Sequence, residues 1–175
     1  MRKIALAAAF CAFSSAAFAA DVPVPHFGQP ADPARIQAWS ISILPDGTNL
    51  PPGKGSVAEG LAIYGEKCVM CHGVNGEGKP ADRLTGGIGT LTSPAPVKTV
   101  ASYWPYATTL FDYIRRAMPV NHPRTLNDHE VYSLVAYILS VDGIVKKDSV
   151  LDAKSLPKIK MPNRDGFIDR SAITH

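Results

Sequence analysis

Two thiols and an imidazole fall within five residues in Cys68-Val69-Met70-Cys71-His72. This C-x-x-C-H spacing is the attachment signature of c-type haem. Cysteines three apart lie about one helical turn apart, so both sulfurs can reach the two vinyl groups along one porphyrin edge. The thioether bonds then hold the adjacent His72 where its imidazole can coordinate iron. Three other chemistries use parts of this pattern. A disulfide oxidoreductase needs a thioredoxin-like βαβ context, which is absent. A structural zinc site needs four ligands, and there is no second cysteine pair. A plain disulfide has no use for His72. One covalently attached haem c is therefore expected, with Cys68, Cys71 and His72 as its attachment and proximal residues.

The second axial group decides what the iron can do. A methionine opposite histidine closes the site for electron transfer, whereas an open position admits small molecules. The candidates are Met70, Met118 and Met161, with His26, His122, His129 and His175. Met70 is tethered between the attachment points, on the proximal side. Met118 follows a helical pattern and directly precedes Pro119, which disfavours helix at the residue before it and stiffens the chain there. Met118 is the preferred ligand, and His122 its nearest rival. The propionates of a haem are anionic and need donors where partly buried. Trp104, with an indole N–H, and one of Arg115 and Arg116, Arg116 foremost, are the candidates. The free ring nitrogen of His72 needs an acceptor too, expected from a loop carbonyl between Pro80 and Pro96.

Helices must position these groups. Ser56 and Glu59 form a capping-box pair, followed by Val57, Leu61, Tyr64 and Cys68 on one helical face. Gly60 inside that helix costs about 1 kcal/mol relative to alanine, and a bare backbone there lets another helix cross closely. A second helix spans roughly Thr108 to Ala117, with Phe111, Ile114 and Met118 on one face. The third starts with Asn127 as N-cap and Glu130 at the box position. It carries Val131, Leu134, Val135 and Ile138 and ends at Gly143. Between the first two, the glycine-rich stretch from Gly73 to Pro96 lacks the Lys-Ser/Thr of a phosphate-binding loop and is expected to wrap the haem as irregular backbone. One short strand is expected near Ile41 and Ile43.

The chain has 175 residues, 14 of them Gly and 15 Pro, and a formal charge of +3. Arg2 and Lys3, an apolar run from Ile4 to Phe18 and the Ala17-Phe18-Ala19 triplet make residues 1–19 an export signal, too short in its apolar part for a membrane span. Cleavage after Ala19 leaves 156 residues with 16 basic and 15 acidic side chains, a balance that gives no electrostatic case for nucleic acid. No other apolar run is long enough to span a membrane. Residues 20–55 and 144–175 then form N- and C-terminal extensions to a haem domain at 56–143. The C-terminal extension holds seven Lys/Arg against four Asp/Glu. It is expected to be a solvated segment, with a docking arm for an acidic partner surface as the functional alternative.

Gly60-x-x-x-Tyr64-x-x-x-Cys68 together with Leu134-x-x-Tyr137 resembles the helix-crossing pattern of class I cytochromes c. That family implies an all-α fold of three main helices and loops around one haem, with the terminal helices packed at the glycine. A narrower resemblance runs from about Phe27 to Ile168. Its marks are Leu50-Pro51-Pro52-Gly53, Tyr103-Trp104-Pro105-Tyr106, Arg115-Arg116-Ala117-Met118-Pro119 and Lys160-Met161-Pro162-Asn163. These look like the cytochrome subunits of bacterial sulfite and sulfane dehydrogenases. The resemblance implies Met118 as distal ligand, and the export signal implies a periplasmic location. The resemblance also implies a molybdenum-containing dehydrogenase subunit as electron donor, and a downstream cytochrome c or oxidase as acceptor. Some such cytochromes are longer and hold a second haem domain, whereas this chain has one C-x-x-C-H. The expectation is a monohaem electron-transfer subunit without catalytic groups of its own. The alternatives are a free-standing carrier, an open-site haem enzyme or gas-binding protein, and a non-haem disulfide or metal-binding module.

Overall fold

Three capping boxes start three of the helices in the computed structural model, which describes residues 28–168. Ser56 and Glu59 begin α2 (Val57–Lys67), Thr99 and Ser102 begin α4 (Val100–Tyr103), and Asn127 and Glu130 begin α6 (Asp128–Val141). In each, the cap side chain accepts from the N3 backbone amide while the N3 side chain accepts from the cap's own N–H, satisfying two donors the helix leaves open. The remaining helices are α1 (Pro33–Trp39), a single turn α3 (Val69–His72) and α5 (Ala107–Ala117). No described helix is long and apolar enough to cross a membrane. Residues 1–19, the expected export signal, lie outside the described residues, as do His26 and His175.

The core forms where α2 crosses α6. Gly60 meets α6 at Ser133 and Tyr137: a Cβ at Gly60 would stand 2.6 Å from the Ser133 carbonyl carbon and 2.7 Å from the Tyr137 Cβ. Ring packing continues the contact, with Tyr64 and Tyr137 centroids 4.9 Å apart. α5 joins on another side through Phe111 against Tyr132, at 4.5 Å. Val131, Leu134, Val135 and Ile138 are all buried, as their spacing predicts, yet every residue of α6 from Val131 to Ser140 is buried as well.

The extensions account for that. β1 (Lys54–Ser56) and β2 (Val150–Asp152) pair antiparallel, Gly55 opposite Leu151, and pack on α6. Gly55 lies so close that its Cβ would stand 2.7 Å from the Ser133 Cα. Two expectations are corrected by this arrangement. The strand lies at 54–56 and not near Ile41 and Ile43, where the Ile43 N–H instead binds the Asp112 carboxylate at 3.2 Å. The C-terminal extension is no solvated tail over its described part. Leu151, Leu156 and Met161 are buried in the core, and a short 3₁₀ turn (Leu156–Lys158) folds between them. The haem-bearing part is all-α, and the extensions add a small sheet.

Candidate haem site

α2 stops at Lys67, and Cys68 closes it by donating its N–H to the Tyr64 carbonyl at 2.9 Å. The chain then restarts as α3, where the amides of Cys71 and His72 both reach the Cys68 carbonyl, at 3.1 and 3.0 Å. The attachment motif is thus its own helical turn. Two tyrosines from the α2–α6 crossing pin the backbone just beyond this turn. The Tyr64 hydroxyl donates to the Gly73 carbonyl at 2.9 Å and Tyr137 to Val74 at 3.2 Å. Burial, with lesser repulsion from Cys68 and Tyr137, raises the Tyr64 phenol well above its ordinary range, so it remains a donor at physiological pH.

His72 Nδ1 lies 2.9 Å from the carbonyl oxygen of Asp82. A carbonyl can only accept, so the proton sits on Nδ1 and the Nε2 lone pair of the neutral ring is free for a metal. The expected acceptor therefore comes from the 80–96 stretch. The loop is tied down by Gly78 N–H to His72 O at 2.7 Å and Ala81 N–H to Cys71 O at 2.9 Å. Farther along, Gly86 N–H is held by both carboxylate oxygens of Asp142, at 2.8 and 2.9 Å. Cys68 is half-buried and Cys71 exposed. Burial pushes the Cys68 thiol up to about 11, against the opposing pull of Lys67.

α5 is closed by Met118, whose N–H donates to Ile114 O at 3.1 Å. The segment after it is bracketed by an ion pair between Arg115 Nε and Asp128 Oδ1 at 2.8 Å, which joins the end of α5 to the start of α6. Cys68, Cys71, His72, Trp104 and Met118 all line one cavity of about 690 Å³. Leu110, Ile114, Leu134 and Ile138 provide much of its apolar wall. Trp104 is set edge-on to Tyr113, with centroids 5.6 Å apart. Met161 is 1% exposed within the core and does not line the cavity, and neither do His122 or His129. Met70 does line the cavity but is 86% exposed, on the same turn as His72.

Arg116 does not line the cavity either. Its guanidinium pairs with Asp112 one helical turn back, and Arg115 is committed to Asp128. Arg83 and Lys98 are the cationic groups at the cavity wall without a carboxylate partner among the described residues. Sequence reasoning passed over both, because neither sits in a motif. Arg83 is steered by a bond from Nε to the Glu77 carbonyl at 3.2 Å, and Lys98 lies 5.1 Å from the Tyr103 ring centroid. The residues present fit a haem: an apolar cavity lined by two thiols, an imidazole whose Nδ1 is satisfied, a thioether and two cations.

A helix crossing at a glycine beside a C-x-x-C-H turn defines a c-type haem protein. The sequence profile of the Cytochrome c family matches residues 57–142. In the crystal structure of the sulfane dehydrogenase SoxCD from Paracoccus pantotrophus, one chain superposes with a TM-score of 0.76 at 42% identity. That match covers 83% of this chain and 73% of that one. The chain belongs to the cytochrome c family, with a class I domain and covalently bound haem c. A thiosulfate dehydrogenase from Stutzerimonas stutzeri (strain A1501) is 29% identical over 93 residues, which are 51% of this chain and 29% of that protein. The chain thus spans less than a third of that curated relative.

Proposed function

We propose that this protein is a periplasmic monohaem electron-transfer subunit that accepts electrons from a molybdenum-containing sulfane or sulfite dehydrogenase chain and delivers them to a downstream cytochrome c or oxidase. The observation that carries the reading is the pairing of His72 and Met118 as lining groups of one cavity, each held by its own backbone. The likeness to a chain of SoxCD supports the choice of donor. The haem supplies a reversible one-electron couple at its iron. Cys68 and Cys71 would hold it by thioether bonds. His72 presents Nε2 because Asp82 holds the proton on Nδ1. Met118 would supply the second protein ligand to the iron, which favours the electron-transfer role over ligand binding. Axial ligand identity moves haem potentials over about 0.8 V, so Met118 sets function as well as geometry. No acid, base or nucleophile is required.

The test is spectroscopic. Holoprotein made with the haem-attachment machinery should bind no carbon monoxide when reduced, and Met118→Ala should bind it readily. Carbon monoxide binding by the unaltered protein would overturn the ligation and return the open-site reading. Co-purification with a molybdopterin-containing chain from the native source tests the donor independently.

A further inference from the structure

The charge of the described chain is segregated. Residues 28–143 hold nine Lys/Arg and ten Asp/Glu, a net of −1, while residues 144–168 hold six Lys/Arg and three Asp, a net of +3. Folding does not spread that excess evenly. Lys154, Lys158 and Arg164 converge on an open depression of about 560 Å³, separate from the haem cavity and walled by Pro45, Asp46 and Tyr106. Lys160, on the same arm, lies 3.6 Å from Asp165. The three groove cations make no salt bridge among the described residues.

The groove is held in shape by contacts on every side. The Arg164 guanidinium lies 4.0 Å from the Tyr106 ring centroid, a cation–π contact that holds the planar fork in place. Tyr106 is bridged to Lys160. Asp152 accepts from the amides of Lys154 and Ser155, at 2.9 and 2.7 Å, and fixes the turn carrying Lys154. The far wall is seated by Gly47, at φ +91°, where a Cβ would stand 3.4 Å from the Pro157 Cβ. Asp46 is committed to the Thr48 amide at 2.8 Å, a bond that also lowers its carboxyl pKa. Three cations against one carboxylate leave the groove at +2. An arrangement ordered before binding loses less entropy on association.

We infer that this groove, between the 3₁₀ turn and the segment before α5, docks an acidic segment of a partner protein, with Arg164 taking a carboxylate in bidentate fashion and Lys154 and Lys158 taking its neighbours. The charge and the bounded shape favour a stretch with two or three carboxylates. A polyanion would meet Asp46, and a stripe of lysines would suit it better. Tyr106 of the groove stands two residues from Trp104, so a partner docked there comes close along the chain to the haem cavity wall. This extends the electron-transfer reading by naming a docking face, but the binding itself is independent of haem redox chemistry.

Titrating ¹⁵N-labelled, reduced holoprotein at low ionic strength with a Gly/Ser peptide that carries three consecutive glutamates tests it. Saturable shifts are expected at the amides of Tyr106, Lys154, Lys158 and Arg164. The exposed double variant K154E/K158E should lose about tenfold or more in affinity, equivalent to about 1.4 kcal/mol. K146E/K147E, with the same change of charge on the same arm but outside the groove, should lose less than about threefold. R164K keeps the charge without the planar fork and should still weaken binding. Equal losses in both double variants would reduce the effect to diffuse attraction and overturn the site. Sulfate giving the same shifts at the same concentration would also overturn it, in favour of a small-anion site. Because binding is read without electron transfer, a negative result here leaves the His72/Met118 reading standing, and the reverse also holds.

Discussion

Gly60 and Gly65 lie in the same helix, and alanine at each should move stability in opposite directions. Both positions have ordinary helical backbone, so either substitution gains about 0.8–1.0 kcal/mol of helix propensity. At Gly65 a new Cβ meets nothing within 4 Å, and the gain is free. At Gly60 it would meet the Ser133 carbonyl carbon and the Tyr137 Cβ at 2.6 and 2.7 Å, with the carbonyl oxygen closer still. Neither is the end of a flexible side chain that could swing away. The helices must separate, and forcing a methyl into a packed contact costs about 1–3 kcal/mol.

Taking the difference between the two variants cancels the propensity gain and leaves the crossing contact alone. G60A should therefore be less stable than G65A by about 1–3 kcal/mol. For a domain near 150 residues one kcal/mol moves the melting temperature by about 2–4 °C, so the two should differ by roughly 2–12 °C. Circular dichroism melts of the two holoproteins at one pH measure this directly. Should G60A melt at or above G65A, the close crossing of α2 and α6 would not exist, and the explanation for a glycine at that position would go with it.

Other outcomes depend on single contacts. Burial works to raise the Glu130 carboxyl, but its bonds to Lys67 and to the Asn127 amide hold it below its ordinary 4.5. A depressed folded value stabilises the fold above the unfolded value, and that contribution is lost as pH falls through the folded one. The acid limb of a stability–pH curve, read from melts below about pH 4.5, should be shallower for Glu130→Gln. Asp142→Ala removes both acceptors from the Gly86 amide, a loss of about 1–3 kcal/mol in local opening; hydrogen exchange at Gly86 should accelerate by about tenfold or more, with the α6 core amides unchanged. Arg116→Gln should lower stability with little change in midpoint potential, whereas Arg83→Gln should shift the midpoint in redox titration.

The legible parts of this molecule are those whose cause is local. A capping box needs only two residues three apart, so the starts of α2 and α6 could be read directly at Ser56 and Asn127. The C-x-x-C-H turn is local too, as is the amphipathic face of α5 that carries Phe111 and Ile114. What the sequence could not display depends on pairing across distance. β1 and β2 are three residues each and separated by the entire haem domain, so neither has a period to detect. Their effect is visible only on α6, which is buried all round although Val131, Leu134, Val135 and Ile138 alone mark a single face. Gly55 carries the same information as Gly60, a backbone pressed against Ser133, but it lacks a helical pattern to make a glycine there look out of place.

Arg116 shows why charge beside a ligand is a weak guide to charge around a cofactor. Adjacent to Ala117 and Met118, it reads as a propionate donor, yet helical geometry sends its side chain to the residue four back, Asp112. Asp112 is buried and already accepts the Ile43 N–H. Without Arg116 its charge would keep only the Ile43 amide, a loss of stability tempered by the solvent that already reaches the guanidinium. The pair therefore anchors the N-terminal extension to α5, the helix whose two ends lead to Trp104 and Met118. Arg116 thus acts on the cavity only by fixing the helix that forms its wall. The cations that meet the cavity itself come from the loop side, at Arg83 and Lys98. Their approach is set by the Glu77 carbonyl and the Tyr103 ring, and neither contact is written in the spacing of a motif.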